Sequence, residues 1–364
     1  MVDTVPVAMD PLGALNEFAN LTIAPIPAAE KSAFSGSSTQ PITRSAKELV
    51  VASVLIARRP SETPVASVPV IPVDRFAFKK TLARAFALLV HEASEIYDTE
   101  SSERAFEEEV MLSGFGTAPV KGEGSAVSFD DAQEAYTARY THETIALAFS
   151  ITEEAIEDNL YDRLASRYTK ALARSMANTK QVKGAATLNN AFDSTYTGGD
   201  GKELCATDHP LVNNNDLRNE PSTASDLNET SLENALIDIA AFVDERGLKV
   251  SVRGEKLIVP PALQFVADRL LESTLRPGTA DNDINATRNM GMLPQGYVVN
   301  HYLTDTDAWF IKTDAPRGFI HFERMPMSTK MEGDFDTGNV RFKARERYSY
   351  GYSDPRCVFG SPGA

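Results

Sequence analysis

The chain of 364 residues sets 36 Lys and Arg against 51 Asp and Glu, a formal charge of -15, with 42 % hydrophobic and 24 % charged residues. This is the balance of a soluble globular chain of roughly two to three domains, and it excludes collagen-like and wholly disordered proteins. An acidic excess weighs against gripping nucleic acid, whose phosphates call for a basic face. The two cysteines, Cys205 and Cys357, lie too far apart in sequence for a CxxC metal motif and are too few for a disulfide scaffold, which suits a thiol-reducing compartment. The start, Met1-Val-Asp-Thr-Val-Pro6, lacks the basic and apolar regions of a secretory signal. The longest apolar run, Val50 to Ala57, is far short of the ~20 residues a membrane helix needs. The expectation is a soluble chain that stays where it is made.

Residues 1–72 hold nine of the 20 prolines, and only Phe18 and Phe34 supply aromatic surface there. Such a segment buries too little apolar area to offset its ordering entropy. It reads as an extended arm, either held by something outside its own domain or lying on its own body. From Phe78 to Tyr97 the spacing predicts a helix, with Leu82, Phe86, Leu89 and Val90 on one face. Glu103 to Leu112 either continues it or starts a second segment. Gly114 to Gly124 is turn-rich, and Val127 to Ile151 alternates at Tyr136, Ala138 and Tyr140 as a strand does. Together these predict a long hairpin, two arms and a tip, projecting from a body.

A long helix is expected next. Ser150-Ile-Thr-Glu153 reads as a capping box, and Glu153, Glu154, Glu157 and Asp158 load the first turns with negative charge. Lys170, Arg174, Lys180 and Lys183 lie toward the other end, and Ile156, Leu160, Leu164, Tyr168, Leu172 and Met176 recur every fourth residue. With Gly184 as its stop, the helix would run roughly 45 Å and form the axis of a flat body. The four-residue recurrence breaks the heptad of a coiled coil. After a loop-rich stretch, Thr230-Ser-Leu-Glu233 is expected to cap a helix carrying Leu232, Leu236, Ile239 and Val243, ended by Gly247. Leu248–Val252 and Lys256–Pro260 read as strands, and Pro261 opens a helix through Leu271. A polar loop from Arg276 to Asn289 precedes strands at Tyr297–Leu303 and Ala308–Lys312. In Gly338–Arg345, Val340, Phe342 and Ala344 alternate with Arg341, Lys343 and Arg345, giving a strand with one buried and one wet face.

Catalytic templates fail in turn. Around Gly201-Lys202 the phosphate-loop pattern meets Tyr196 and Glu203 where it needs Gly and Ser or Thr. Gly114-Phe-Gly116 meets Pro119 in place of a third dinucleotide-loop glycine. The five histidines, His91, His142, His209, His301 and His321, have no ligand spacing. In Thr207-Asp-His-Pro210 a turn stabilised by Asp208 is favoured over a catalytic pair, and Cys205 reads as a packed thiol rather than a nucleophile for His209. The expectation is no catalytic, cofactor or metal residue.

The wording of several stretches is familiar: Phe149-Ser-Ile-Thr-Glu-Glu-Ala-Ile-Glu-Asp158, Leu172-Ala-Arg-Ser-Met176, Leu188-Asn-Asn-Ala-Phe-Asp193, Leu204-Cys-Ala-Thr-Asp-His-Pro-Leu211, Lys256-Leu-Ile-Val-Pro-Pro261, Asn282-Asp-Ile-Asn285, Leu303-Thr-Asp-Thr-Asp-Ala-Trp-Phe310 and Arg341-Phe-Lys-Ala-Arg-Glu-Arg347. In their joint order, from about Phe78 to the C-terminus, they resemble the major capsid proteins of tailed bacteriophages, on the branch related to Mu-like head subunits. The resemblance implies an α+β chain with the Hong Kong 97-like capsid fold. Its parts would be an N-terminal arm (1–72), a helix leading into the peripheral domain (73–100) and an extension-loop hairpin (101–150). A spine helix of the peripheral domain (151–192), an axial domain (193–317) and return strands (318–364) would complete it.

What the resemblance implies in function is self-assembly into hexamers and pentamers of an icosahedral head, in a bacterial cytoplasm and then in the virion. Portal, scaffold or protease and cement proteins would be further partners. Double-stranded DNA would be packaged without specific binding, sliding past an acidic wall, and no membrane is involved. Expected contacts between subunits are Phe115 and Lys121 at the hairpin tip and Arg341, Lys343 and Arg345, which would meet carboxylates of neighbours. Covalent chain-mail, known in part of the family, joins a loop Lys to an Asn near the C-terminus. Lys121 could supply the amine, but no Asn comes after Glu346, and Asn339 falls in the predicted turn Asp336–Asn339, so the shell is expected to be non-covalent. The alternatives are an encapsulin-type compartment shell and a soluble α+β enzyme with an unrecognised site.

Overall fold

The computed structural model describes residues 75–87, 92–158, 161–276 and 283–364. The arm assigned to residues 1–72, together with Leu89, Val90 and Leu160, lies outside the described residues. Contacts divide the chain into Met1–Pro69 and Val70–Ala364, and every described element belongs to the second unit.

Its first elements are helix α1 (Arg75–Ala87) and strands β1 (Asp98–Ser101), β2 (Phe106–Leu112), β3 (Glu134–Thr141) and β4 (Glu143–Ile151). Helices α2 (Glu153–Glu157) and α3 (Tyr161–Asn189) come next, then β5 (His209–Pro210), β6 (Asp216–Leu217) and α4 (Glu229–Ala240). After these stand β7 (Gly254–Val259), α5 (Gln264–Glu272), α6 (Ala286–Met290), β8 (Tyr297–Val299) and β9 (Trp309–Thr313). The chain closes with β10 (Phe319–Gly333), β11 (Val340–Tyr352) and β12 (Val358–Ser361).

Two four-stranded sheets organise these elements. The first has the order β1-β10-β11-β4, with β1 parallel to β10 and the other pairs antiparallel. Helices α1 and α3 cover one of its faces, where Leu82, Leu172, Ala173, Met176 and Ala344 are buried with Phe86, Ile145, Phe149 and Met327 against them. The second sheet has the order β12-β9-β7-β8. Alternation along its strands feeds two cores. Leu257, Val259, Trp309 and Ile311 pack with Leu232, Leu236 and Ile239 of α4 and Ala267, Leu270 and Leu271 of α5. Ile258, Val298 and Phe310 point the other way, onto Leu188 at the end of α3, Leu204, Tyr97 and Phe319. That second cluster joins the two sheets.

Of the two readings of Glu103–Leu112 the second holds: residues 106–112 form a strand of their own, pairing with β3 from Phe106↔Thr141 onward, and exposure alternates residue by residue. Other expectations need correction. The long helix does not begin at Ser150, which pairs with Arg341 inside the first sheet. The cap is Thr152, whose side chain accepts the Ala155 N–H, and it opens only the short α2. Nor does Gly184 end α3. A Cβ there would stand 2.8 Å from Ala93 Cβ, and the Tyr97 hydroxyl donates to the Gly184 carbonyl at 2.8 Å. The glycine permits close approach in mid-helix.

Helix α4 is capped by Asn228 rather than Thr230, through a reciprocal pair with Ser231 at 2.9 Å each way. It stops at Ala240, and Gly247, at φ +85°, turns the chain so that Val243 bridges Lys249. Apart from that bridge, Leu248–Val252 forms no strand. The longest strand, β10, escaped individual recognition because its pattern is interrupted. Phe319 to Phe322 are buried in succession, and register shifts fall on both sides of Met325, the second containing Pro326, where a missing N–H is tolerated.

Candidate assembly surfaces

The β2–β3 hairpin closes at Ser113, whose N–H donates to Gln133 O at 2.8 Å while its hydroxyl accepts from Gln133 N at 3.0 Å. Beyond that point lies the tip. Gly116 N donates to Asp130 Oδ2 at 2.7 Å, and this bond, with Arg246 nearby, holds the Asp130 carboxyl below its usual range. Phe115 is 62 % exposed, Val120 and Phe129 almost fully so, and Lys121 is exposed as well. An aromatic ring left in water is costly unless something covers it. The hairpin does not stand wholly clear of the body. The Tyr136 hydroxyl donates to Ser353 O at 3.2 Å, Gly199 lies against the β3 backbone, and Tyr140 lies over Gly351. Arg317 reaches Glu109 of β2, and Arg246 donates to Asp131 O at 2.6 Å. Even the tip is tethered at Asp130 and Asp131, while its side chains Phe115, Val120, Lys121 and Phe129 remain exposed.

Between β3 and β4 sits buried His142. Its Nε2 is 2.8 Å from Ser102 Oγ and its Nδ1 3.0 Å from Ser349 Oγ. Burial pushes its pKa down against the pull of Glu107.

Arg341, Lys343 and Arg345 line the face of the first sheet opposite α3, while Phe342 and Ala344 point inward. Arg341 pairs with Asp334. Lys343 and Arg345 make no ion pair among the described residues. The chain therefore brings Phe115 and Lys121 together at one tip and the three basic residues together on one strand. Asn339 lies in a turn, as expected, although the positive φ, +68°, belongs to Gly338. Sequence reasoning did not single out Phe129, or Phe335 in the β10–β11 turn, which is fully exposed. The signal available was an aromatic among Gly, Ser and Asp.

Under α3 the first sheet hides charge. Lys180 Nζ lies 3.8 Å from Glu346 and 4.0 Å from Glu323. Burial pushes Glu346 up to about 7, with Lys180 opposing, and pushes His321 down to about 3, with Lys180 reinforcing. Lys180, His321 and Glu346 are buried between helix and sheet, and Glu323 stands at the edge, partly exposed.

The neighbourhood of His209 differs from expectation. Its carboxylate partner is Asp200, 2.6 Å from Nδ1, because Asp208 pairs with Lys202. Nε2 faces Asn219 Oδ1 at 3.1 Å, and three carbonyls, of Leu204, Pro355 and Val358, fix that amide's orientation. The group ties the 200–220 loops to the C-terminal segment. Cys205 is buried, burial raises its thiol pKa, and no bond to His209 forms, which is the packed thiol expected. Among the described residues no group of three or more His, Cys, Asp or Glu could hold a metal ion, and no helix is long and apolar enough to cross a membrane.

These features define an α+β protein with exposed aromatic and charged patches on its hairpin tip, its first sheet and the β10–β11 turn. A family model described as phage capsid protein matches residues 135–360, and the chain belongs to that family. Among curated proteins no sequence matches it. Among solved structures it is similar to a virus-like particle from Pyrococcus furiosus, at 10 % identity over 78 % of this chain and 97 % of that one, TM-score 0.47. It is also similar to the capsid of Cyanophage P-SCSP1u, at 11 % identity over 72 % and 85 %, TM-score 0.47. The capsid of an empty GTA particle gives 13 % identity over 74 % and 88 %, TM-score 0.45.

Proposed function

We propose that this chain is the shell-forming subunit of an icosahedral phage head with the Hong Kong 97-like fold, assembling as hexamers and pentamers around double-stranded DNA. The observation that carries this reading is the family match across residues 135–360, which spans α3 and the strands of both sheets other than β1 and the last residue of β12. Within the family, the wording of Phe149–Asp158 and Leu204–Leu211 supports the branch related to Mu-like head subunits. Helix α3 serves as the spine, the β2–β3 hairpin as the extension loop, and α4 to α6 with the second sheet as the axial domain. The tip meets a neighbour through Phe115 and Lys121, and residues 1–72 act between subunits. A net charge of -15 keeps packaged DNA from adhering to the wall. No covalent crosslink forms, since Lys121 has no Asn partner after Glu346.

The full chain, expressed alone and examined by negative-stain microscopy and light scattering, should give closed shells or their capsomers. A small discrete particle at every concentration would overturn the proposal. Boiled in detergent and reductant, mature shells should run as one band at subunit mass, and a ladder carrying a Lys121 isopeptide would refute the non-covalent part.

A further inference from the structure

The register of the first sheet builds a basic surface that the sequence pattern only half disclosed. On the face opposite α3, Arg341, Lys343, Arg345 and Arg347 of β11 stand in line. Lys330 of β10 lies directly across from Lys343. Like charges paired across strands destabilise an isolated sheet. Lys330, Lys343, Arg345 and Arg347 find no carboxylate among the described residues, and the Nε atoms of Arg345 and Arg347 are buried without a partner. On the other flank, opposite Lys343 and Arg345, stand exposed Ala148 and Ala146. The result is a shallow, methyl-floored trough walled by cations, on a chain of net charge -15.

The far end of the same lobe is its complement. The β10–β11 turn carries Asp334, Phe335 and Asp336, Glu332 stands just before it at the end of β10, across from Arg341, and Glu153 at the start of α2 leans over Gly338 of the turn. This brings the acids of α2 to the turn. Asp334 is held by Arg341. Glu332, Asp336, Glu153, Glu154, Glu157 and Asp158 are exposed and unpaired among the described residues. Phe335 stands fully exposed in their midst.

We propose that the acidic β10–β11 turn of one copy, with Phe335 at its head, docks into the basic trough of a second copy. The proposal rests on the shell-forming reading and names a contact within it. The chemistry is specific. Phe335 lies on the Ala146 and Ala148 methyls with cationic side chains over its ring. Asp336 and Glu332 supply the carboxylates that Lys343, Arg345 and Lys330 lack. Because donor and acceptor patches are different surfaces of one chain, the contact is head-to-tail and propagates or closes into a ring.

A charge swap tests it on the full chain. Lys343→Glu with Arg345→Glu, and separately Glu332→Lys with Asp336→Lys, should each raise the concentration needed for assembly at least about tenfold. Combining the two pairs should restore most of the loss, and Phe335→Ser should weaken assembly by a smaller factor. Circular dichroism melting checks that each variant folds. Wild-type assembly should weaken steeply with added salt. If wild-type protein forms no particles, the shell reading itself fails. If it assembles and the folded single-patch variants assemble equally well, or the combination does not rescue, the docking contact is refuted. Normal assembly of Lys343→Glu/Arg345→Glu with loss of retained nucleic acid would assign the trough to phosphate instead, which also refutes it.

Discussion

The sheet formed by β7, β8, β9 and β12 is enclosed by apolar side chains on both faces. The sheet formed by β1, β4, β10 and β11 is apolar under part of α3 and ionisable under the rest, and on its other face carries the basic row of β11 beside an apolar cluster of Ile320 and Phe322 with Ala138 and Tyr140. Both bury helices against strands, so the area gained is of the same kind. What differs is the response to conditions. A core of Trp309, Phe310, Phe359 and Leu257 is indifferent to pH and salt. A helix–sheet interface holding Lys180, His321 and Glu346 is not.

The largest effect expected is a breach of the apolar sheet. Trp309 is fully buried and its indole N–H donates to Ser225 O at 3.0 Å. Trp309→Ala should cost about 3–5 kcal/mol in urea unfolding of the subunit, with little change in pH dependence.

The ionisable sheet is tested by pH. Glu346 carries a raised pKa, about 7 against 4.5. The folded state thus favours its protonated form, and stability falls as pH rises from about 4.5 to 7. His321 carries a lowered pKa, about 3 against 6.5. Folding disfavours its protonated form, so stability is lost as pH falls from about 6.5 to 3. Between about 4.5 and 6.5 the two slopes oppose each other. Glu346→Gln should therefore unmask a rise of stability with pH across that window, and His321→Gln a fall, each approaching about 1.4 kcal/mol per pH unit. Parallel profiles for both variants and wild type would break the comparison. Smaller again, Asn228→Ala removes the cap of α4 and should cost about 1 kcal/mol, read by thermal melting. The least effect on subunit stability is expected from Phe115→Asp, at an exposed tip, whose readout is assembly yield.

Where one periodicity ran without interruption, the sequence was legible. Val340 to Arg345 announced β11, with its buried and wet faces assigned correctly. Leu232, Leu236 and Ile239 announced α4. The hairpin was visible as two arms and a turn-rich tip. What failed was punctuation. Gly184 looked like a stop because glycine usually lacks a partner that explains it, and only the fold supplies Ala93 and Tyr97. Thr152 rather than Ser150 is the cap because Ser150 is committed to β4, and Asn228 rather than Thr230 because Thr230 already lies inside the helix. The basic trough was half legible: Arg341, Lys343 and Arg345 show in the alternation, but Lys330 joins them only through the register beyond the shifts near Pro326. Asp200 could not be guessed as the partner of His209, since a loop of intervening residues decides it.

One corner of the chain has mechanical weight. Strands β3 and β4 are separated by His142 alone, so the run from Glu134 to Ile151 is about 60 Å of nearly continuous extended chain at about 3.3 Å per residue. No glycine or proline softens the junction, and Ser102 and Ser349 grip the imidazole from both sides. The hairpin is thus a rigid lever welded to its own sheet rather than a flap on a hinge. Load applied near its tip would reach β11 as shear along the strands, shared with the contacts that Tyr136, Glu109 and Asp131 make to the body.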